Sequence, residues 1–290
     1  MAYLIAVTIL WSFSFSLIDV YLSASVDSYF AVMVRMLLAT LVFLPMLRPR
    51  RTPFKTALGL MLIGAVQIGA MSVFVYQSFE LLSVPEVLLF TVLTPLYVTL
   101  FDDALARRFS PFHLMTAAIA VCGSLLIAPF AVKQGFWAGF LLVQASNICF
   151  ALGQVAYRRL PGLASAARGR FGTLHQFGWF YIGALILLLP AWLLLGDHSR
   201  LPTTGEQWGV LLWLGIVASG IGYYFWNQGA RQVDAGTLAI MNEALKPAGL
   251  AVNVLFWNKD ADPLRLSLCA LVICAALVIN LVGSRRRKHR

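Results

Sequence analysis

The chain has 290 residues, 60% hydrophobic and only 12% charged, with a mean hydropathy of +0.81 and a formal net charge of +10. This balance excludes an ordinary soluble domain and indicates a polytopic membrane protein. The positive charge sits in short loops between apolar runs rather than on one solvated face, which excludes nucleic acid as a partner.

Ten segments are long and apolar enough to cross a bilayer, which takes about 20 residues of helix. In chain order they are Ala2–Leu22, Tyr29–Leu47, Ala57–Phe79, Val84–Phe101, Phe112–Val132, Phe136–Tyr157, Phe177–Leu195, Gln207–Ala230, Ala235–Trp257 and Leu264–Gly283. The runs are continuous rather than alternating, so they predict helices and not barrel strands. No Lys or Arg precedes the first run, so it reads as a permanent span and not a cleaved signal. The four cysteines, Cys122, Cys149, Cys269 and Cys274, lie inside apolar runs without metal-site or CxxC spacing. The four histidines, His113, His175, His198 and His289, fall at or beyond span ends in different loops and show no pairing. No metal, cofactor or catalytic constellation is expected, and the chain does not read as an enzyme. An integral membrane enzyme acting on a lipid-linked substrate is the remote alternative.

Loop charge orients the bundle. Arg48, Arg50, Arg51, Lys55, Arg107, Arg108, Arg158, Arg159, Arg168, Arg170, Arg231 and the tail Arg285–Arg290 fall on one side of the ten-span alternation. Lys133, Arg200, Lys259 and Arg265 fall on the other. The positive-inside rule then puts both termini in the cytoplasm. Residues 284–290 form a basic tail that also suits anionic membrane lipid.

The ninth run, Ala235–Trp257, carries Asn242, Glu243, Lys246 and Pro247 in its middle. Ionisable groups at membrane depth are costly and usually face a pathway or a partner. Glu243 and Lys246 share a helix face at i,i+3 and can neutralise each other. Lys246 could hold a solute carboxylate and Glu243 could hold an ammonium or exchange a proton; a structural ion pair is the competing reading. Arg35, inside the second run, is the other intramembrane charge.

The third and fourth runs parallel the eighth and ninth. Phe74 aligns with Phe225, Gln77 with Gln228, Pro85 with Gly236 and, after a one-residue insertion, Pro95 with Pro247. Two five-span repeats follow, residues 1–132 and 136–283. An odd number of spans per repeat inverts one against the other, the usual plan of a secondary transporter. Trp11, Phe15, Tyr76, Gln77, Phe79, Tyr97, Tyr224, Trp226, Asn227 and Gln228 supply aromatic and amide groups for a central cavity. Pro85, Pro95, Gly236 and Pro247 are the candidate hinges.

With these features the chain resembles the drug/metabolite transporter superfamily, in particular its EamA-type ten-span exporters. Leu10–Phe15 (LWSFSF) is similar to the family's first-span Leu-Trp-small pattern, and Arg35–Ala39 (RMLLA) to its Arg-Phe-Leu-Leu-Ala. Leu93-Thr94-Pro95 and Leu245-Lys246-Pro247 stand where the family often has Leu-Glu-Pro; Lys246 departs from that pattern. The resemblance implies an all-α protein of two inverted five-helix repeats in a bacterial inner membrane. It also implies secondary export, by alternating access, of amino acids or related amphipathic metabolites, with aromatic amino-acid exporters among similar members. The partners expected are a small amino-acid-like solute and membrane lipid. Proton coupling through Glu243 and uncoupled facilitation both stay open, as does export of drugs or other metabolites.

Overall fold

The computed structural model describes residues 1–22, 25–79, 81–82, 86–87, 90–125, 136–163, 173–257 and 263–288. Among these every regular element is helical. The elements are α1 (Ala2–Tyr21), α2 (Ser28–Phe43), α3 (Phe54–Gly64), α4 (Met71–Ser78), α5 (Thr94–Leu105) and α6 (Pro111–Leu125). They continue with α7 (Phe136–Arg159), α8 (Leu174–Leu195), α9 (Gly205–Trp213), α10 (Gly222–Gln232), α11 (Ala235–Trp257) and α12 (Pro263–Lys288).

Two pairs of helices are single rods interrupted by a π-helical turn. Ala65–Ala70 joins α3 to α4, and Leu214–Ile221 joins α9 to α10. Hydropathy does not reveal these turns, because a π turn keeps the apolar composition and only shifts the hydrogen-bond register. Among the described residues six rods are long and apolar enough to cross a membrane: Ser28–Met46, Phe54–Ser78, Phe136–Arg159, Leu174–Leu195, Gly205–Gln232 and Leu264–Ser284. Shorter apolar helices cover Ala2–Ile18 and Pro111–Leu125.

The helix starts have local causes. Asp27 caps α2 by accepting from the Phe30 N–H at 2.7 Å. Thr204 and Gln207 form a reciprocal capping box that starts α9. Pro95 falls in the first turn of α5, after a 3-10 turn over Thr91–Leu93, where a missing N–H costs nothing. Pro247 instead lies inside continuous α11. The two prolines, aligned in sequence, therefore occupy different local structures, because only one has a full helical turn before it. Pro85, a predicted hinge, lies outside the described residues.

The rods pair in a regular way. α1 packs on α11 and α10; the α3/α4 rod and α5 pack on α7; α2 packs on α8 and on the π turn before α10; α3 packs on α8; α5 packs on α11 and α6 on α12. Most of these pairs have a counterpart five rods further on. The contact between α3 and α8 is the closest kind. A Cβ on Gly64 would overlap the Phe180 carbonyl, and one on Gly183 the Met61 carbonyl, so these backbones touch through glycine.

The molecule is apolar outside and polar within. Ile186, Leu194, Leu255 and Leu271 are well exposed, whereas Gln67, Gln154, Asn227, Glu243 and Asn280 have no exposed surface. That distribution suits hydrocarbon as the solvent, with polar side chains gathered inside the bundle.

Candidate functional site

The polar interior is built around Gln154 on α7. Its Oε1 accepts from Trp226 Nε1 at 2.9 Å and from Asn242 Nδ2 at 3.3 Å, and its Nε2 donates to Asn242 Oδ1. Helices α7, α10 and α11 are thus joined by one amide–indole network. Trp11 brings in α1: its ring stacks on Trp226 with centroids 5.0 Å apart and leans on Tyr223 at 4.9 Å.

The π turn between α9 and α10 frees backbone carbonyls, and side chains take them. Trp11 Nε1 donates to the Ala218 carbonyl at 2.8 Å. The Tyr181 hydroxyl reaches the carbonyls of Ser219 and Gly220, at 3.0 and 2.5 Å. Arg35 Nε donates to the Ser219 hydroxyl at 3.1 Å. Buried carbonyls need such partners, so the turn is held open by groups from α1, α2 and α8. Its counterpart, Ala65–Ala70, carries Gln67, whose amide atoms are fully buried and have no partner among the described residues. Gln67 lies against Gly153, next to Gln154, where a Cβ would collide with it.

The remaining predicted residues are distributed around this centre. Tyr76 meets Tyr29 edge to face at 5.7 Å. Gln77, Tyr29, Leu81, Leu142 and Leu195 line a pocket of about 310 Å³ near the α2 start and the α8 end. Tyr97 donates to Gln144 Oε1 at 3.1 Å, and Gln144 and Asn147 both donate to the Phe90 carbonyl. Asn227 donates to the Tyr223 carbonyl at 3.1 Å, while its Oδ1 has no partner. Gln228 faces elsewhere, donating to the hydroxyls of Tyr157 (3.0 Å) and Thr173. Gly236 is packed so closely that a Cβ would strike Asn280 and His113.

The structure separates Asn242 from its charged neighbours. Asn242 points to Gln154, whereas Glu243 is buried on the side of α6 and α12, beside Ser124 and Cys269. Lys246 Nζ holds Glu243 Oε1 at 2.5 Å. Lys246 thus neutralises Glu243 within α11, while the second carboxylate oxygen, Oε2, is buried without a hydrogen-bond partner among the described residues.

Sequence reading missed several members of this interior. Gln154, Gln67 and Gln144 were legible as amides inside apolar runs, the signal that singled out Gln77 and Gln228. Tyr181 and Ser219 carried no such signal, because their roles depend on carbonyls released by the π turn. A further unforeseen cluster lies at one end of the bundle. Asp102, nearly buried, accepts from Arg159 at 2.8 Å and from Arg158 and Arg108 at 3.4 Å. Near it, Asp234 accepts from Asn280 at 2.8 Å and from the Thr237 N–H and hydroxyl at 2.9 Å.

Comparison with known proteins fits this architecture. The description "EamA-like transporter family" applies to residues 1–128 and 137–281. A probable biotin transporter of Pseudomonas aeruginosa is 50% identical over 285 residues, covering 98% of this chain and 99% of that protein. A biotin transporter of Escherichia coli K12 is 48% identical over 281 residues, covering 97% and 92%. An aromatic amino acid exporter of Ancylobacter novellus is 24% identical over 218 residues, covering 73% and 72%. A solved crystal structure matches with a TM-score of 0.79 at 20% identity, covering 98% of both chains, which speaks to fold alone. The chain belongs to the EamA-like transporter family and is a membrane transporter rather than an enzyme.

Proposed function

We propose that this protein is a secondary carrier of biotin, or of a closely similar amphipathic monocarboxylate, across a bacterial inner membrane. The observation that carries the reading is identity of 50% along essentially the whole length of a probable biotin transporter. The interior supports it chemically. Biotin combines a carboxylate, an apolar body and a neutral cyclic urea. The bundle offers cationic, aromatic and amide groups at its centre: Arg35, the Trp11–Trp226–Tyr223 wall, and Gln154 with Asn242 and Gln67.

Alternating access between two inverted five-span repeats, 1–132 and 136–283, is the mechanism proposed. The counterpart pairing of rods five places apart supports that plan. With the basic loops and both termini in the cytoplasm, the Asp102 cluster closes the cytoplasmic end. The pocket lined by Tyr29 and Gln77 then lies toward the opposite side. Glu243 with Lys246 acts as a structural pair rather than a proton site, because the ammonium already neutralises the carboxylate. Export of aromatic amino acids is the second reading, favoured by the 24% relative and by the aromatic wall.

Counterflow of tritiated biotin into proteoliposomes preloaded with unlabelled biotin tests this directly. The expected result is saturable uptake, competed by biotin and not by tryptophan, and insensitive to an imposed pH gradient. Tryptophan counterflow without biotin counterflow would replace the biotin reading by aromatic export.

A further inference from the structure

Two cations lie inside the apolar rods, and only one is neutralised. Lys246 is held by Glu243. Arg35 gives its Nε–H to a neutral acceptor, the Ser219 hydroxyl, and makes no ion pair with any described carboxylate. A guanidinium carries five N–H donors in a planar fork, so its terminal nitrogens stay uncommitted among the described residues. Charge at membrane depth is kept where it meets a partner or a pathway.

The surroundings say which kind of partner. Ser219, which Arg35 holds, adjoins Ala218, whose carbonyl takes Trp11 Nε1 at 2.8 Å, so the guanidinium is tied to the same π turn as the aromatic wall. The oxygens of Asp27, at the start of the same rod, are engaged by the N–H groups of Phe30 (2.7 Å) and Asp197 (3.2 Å). Tyr29 lines the 310 Å³ pocket, and Arg35 follows it on α2 at about 9 Å along the helix axis. On the far side Trp11 leans on Tyr223 beside Trp226, an aromatic wall ending at the Gln154 amide. A planar cation fork recognises a carboxylate, and an aromatic wall beyond it accepts an apolar body.

We infer that Arg35 anchors the solute carboxylate and that this anchor sets the selectivity of the carrier. The inference rests on the reading of the protein as a carrier of an amphipathic acid. It predicts a preference for monoanions over amino acids, because an α-ammonium beside the bound carboxylate would face the same uncompensated guanidinium. The competing role for Arg35 is to pin α2 to the π turn through Ser219, and the two roles separate experimentally.

The test is ligand binding to the purified full-length protein in detergent. It uses acid and neutral pairs of the same skeleton: biotin and biotinamide, lipoate and lipoamide, octanoate and octanamide. Wild type is expected to favour at least one acid over its amide by about tenfold or more, the range of a charge-assisted hydrogen bond. Arg35→Gln should reduce that ratio to near one, Arg35→Lys should retain part of it, and Ser219→Ala should leave it intact. If Arg35→Gln does not fold, Arg35→Lys decides, with the acid preference expected to fall severalfold because the planar fork is lost. Equal binding of acid and amide in wild type overturns the anchor, as does a ratio unchanged in Arg35→Gln or, where that variant fails to fold, in Arg35→Lys. Binding of no acid at all also overturns it. Preference for lipoate or octanoate over the amide, with no biotin binding, overturns the biotin reading and leaves the anchor standing.

Discussion

Removing the Asp102 charge tests the closed end of the bundle. Asp102 sits on α5, its side chain 4% exposed, and is approached by three arginines that differ in exposure. Arg158 is 15% exposed, Arg159 34% and Arg108 59%. An exposed pair contributes about 0.2–1 kcal/mol, whereas breaking a buried one costs about 3–5 kcal/mol by stranding the remaining charge. The Arg158 contact therefore dominates, supported by its second bond to the Val233 carbonyl at 2.8 Å. Asp102→Asn is expected to lower unfolding stability by about 3 kcal/mol. Arg108→Gln is expected to cost less than about 1 kcal/mol. Denaturation by sodium dodecyl sulfate in mixed micelles, followed by tryptophan fluorescence, measures both. Equal losses for the two variants, or a loss below about 1 kcal/mol for Asp102→Asn, would refute the claim that buried charge at this end is what ties α5 to α7.

Other outcomes follow from packing and charge. Gly64→Ala is expected to destabilise by about 1–3 kcal/mol, since its Cβ meets the Phe180 backbone. Gly209→Ala, with nothing within 4 Å, should be neutral or stabilising by up to about 1 kcal/mol; thermal melts of the two distinguish contact from composition. Lys246→Met alone strands the fully buried Glu243 and should cost about 3–5 kcal/mol, while Glu243→Gln/Lys246→Met recovers most of it. A double variant that folds but no longer transports would show that the pair is functional. Burial works against the charge of Asp234, but bonds from Asn280 and Thr237 and the nearby His113 outweigh it and hold its pKa below the usual aspartate value. Its stabilisation is therefore complete above about pH 3.9 and is lost as pH falls through the depressed folded value. Asp234→Asn should flatten that acid limb in pH-dependent melts.

The helical class, the membrane environment and most rod positions were legible in the sequence, because hydropathy over about 20 residues is a local property. Glu243 and Lys246 were legible as a pair for the same reason, being one helical turn apart. The intramembrane amides were visible as candidates, but their grouping was not. Asn242 and Gln154 meet across α11 and α7, whereas Gln228, in the same stretch as Asn227, faces Tyr157 and Thr173. The face that each residue presents depends on the rotation of its rod, which neighbouring rods set through contacts such as Gly64 against Phe180. The π turn Leu214–Ile221 is further removed from sequence, since its released carbonyls are taken by Trp11 and Tyr181 from other helices. Sequence alone therefore determined which segments are apolar rods and which charges lie within them. Tertiary structure alone decided that Arg35 meets a neutral hydroxyl and no described carboxylate, because its partner depends on what other helices bring within hydrogen-bonding distance.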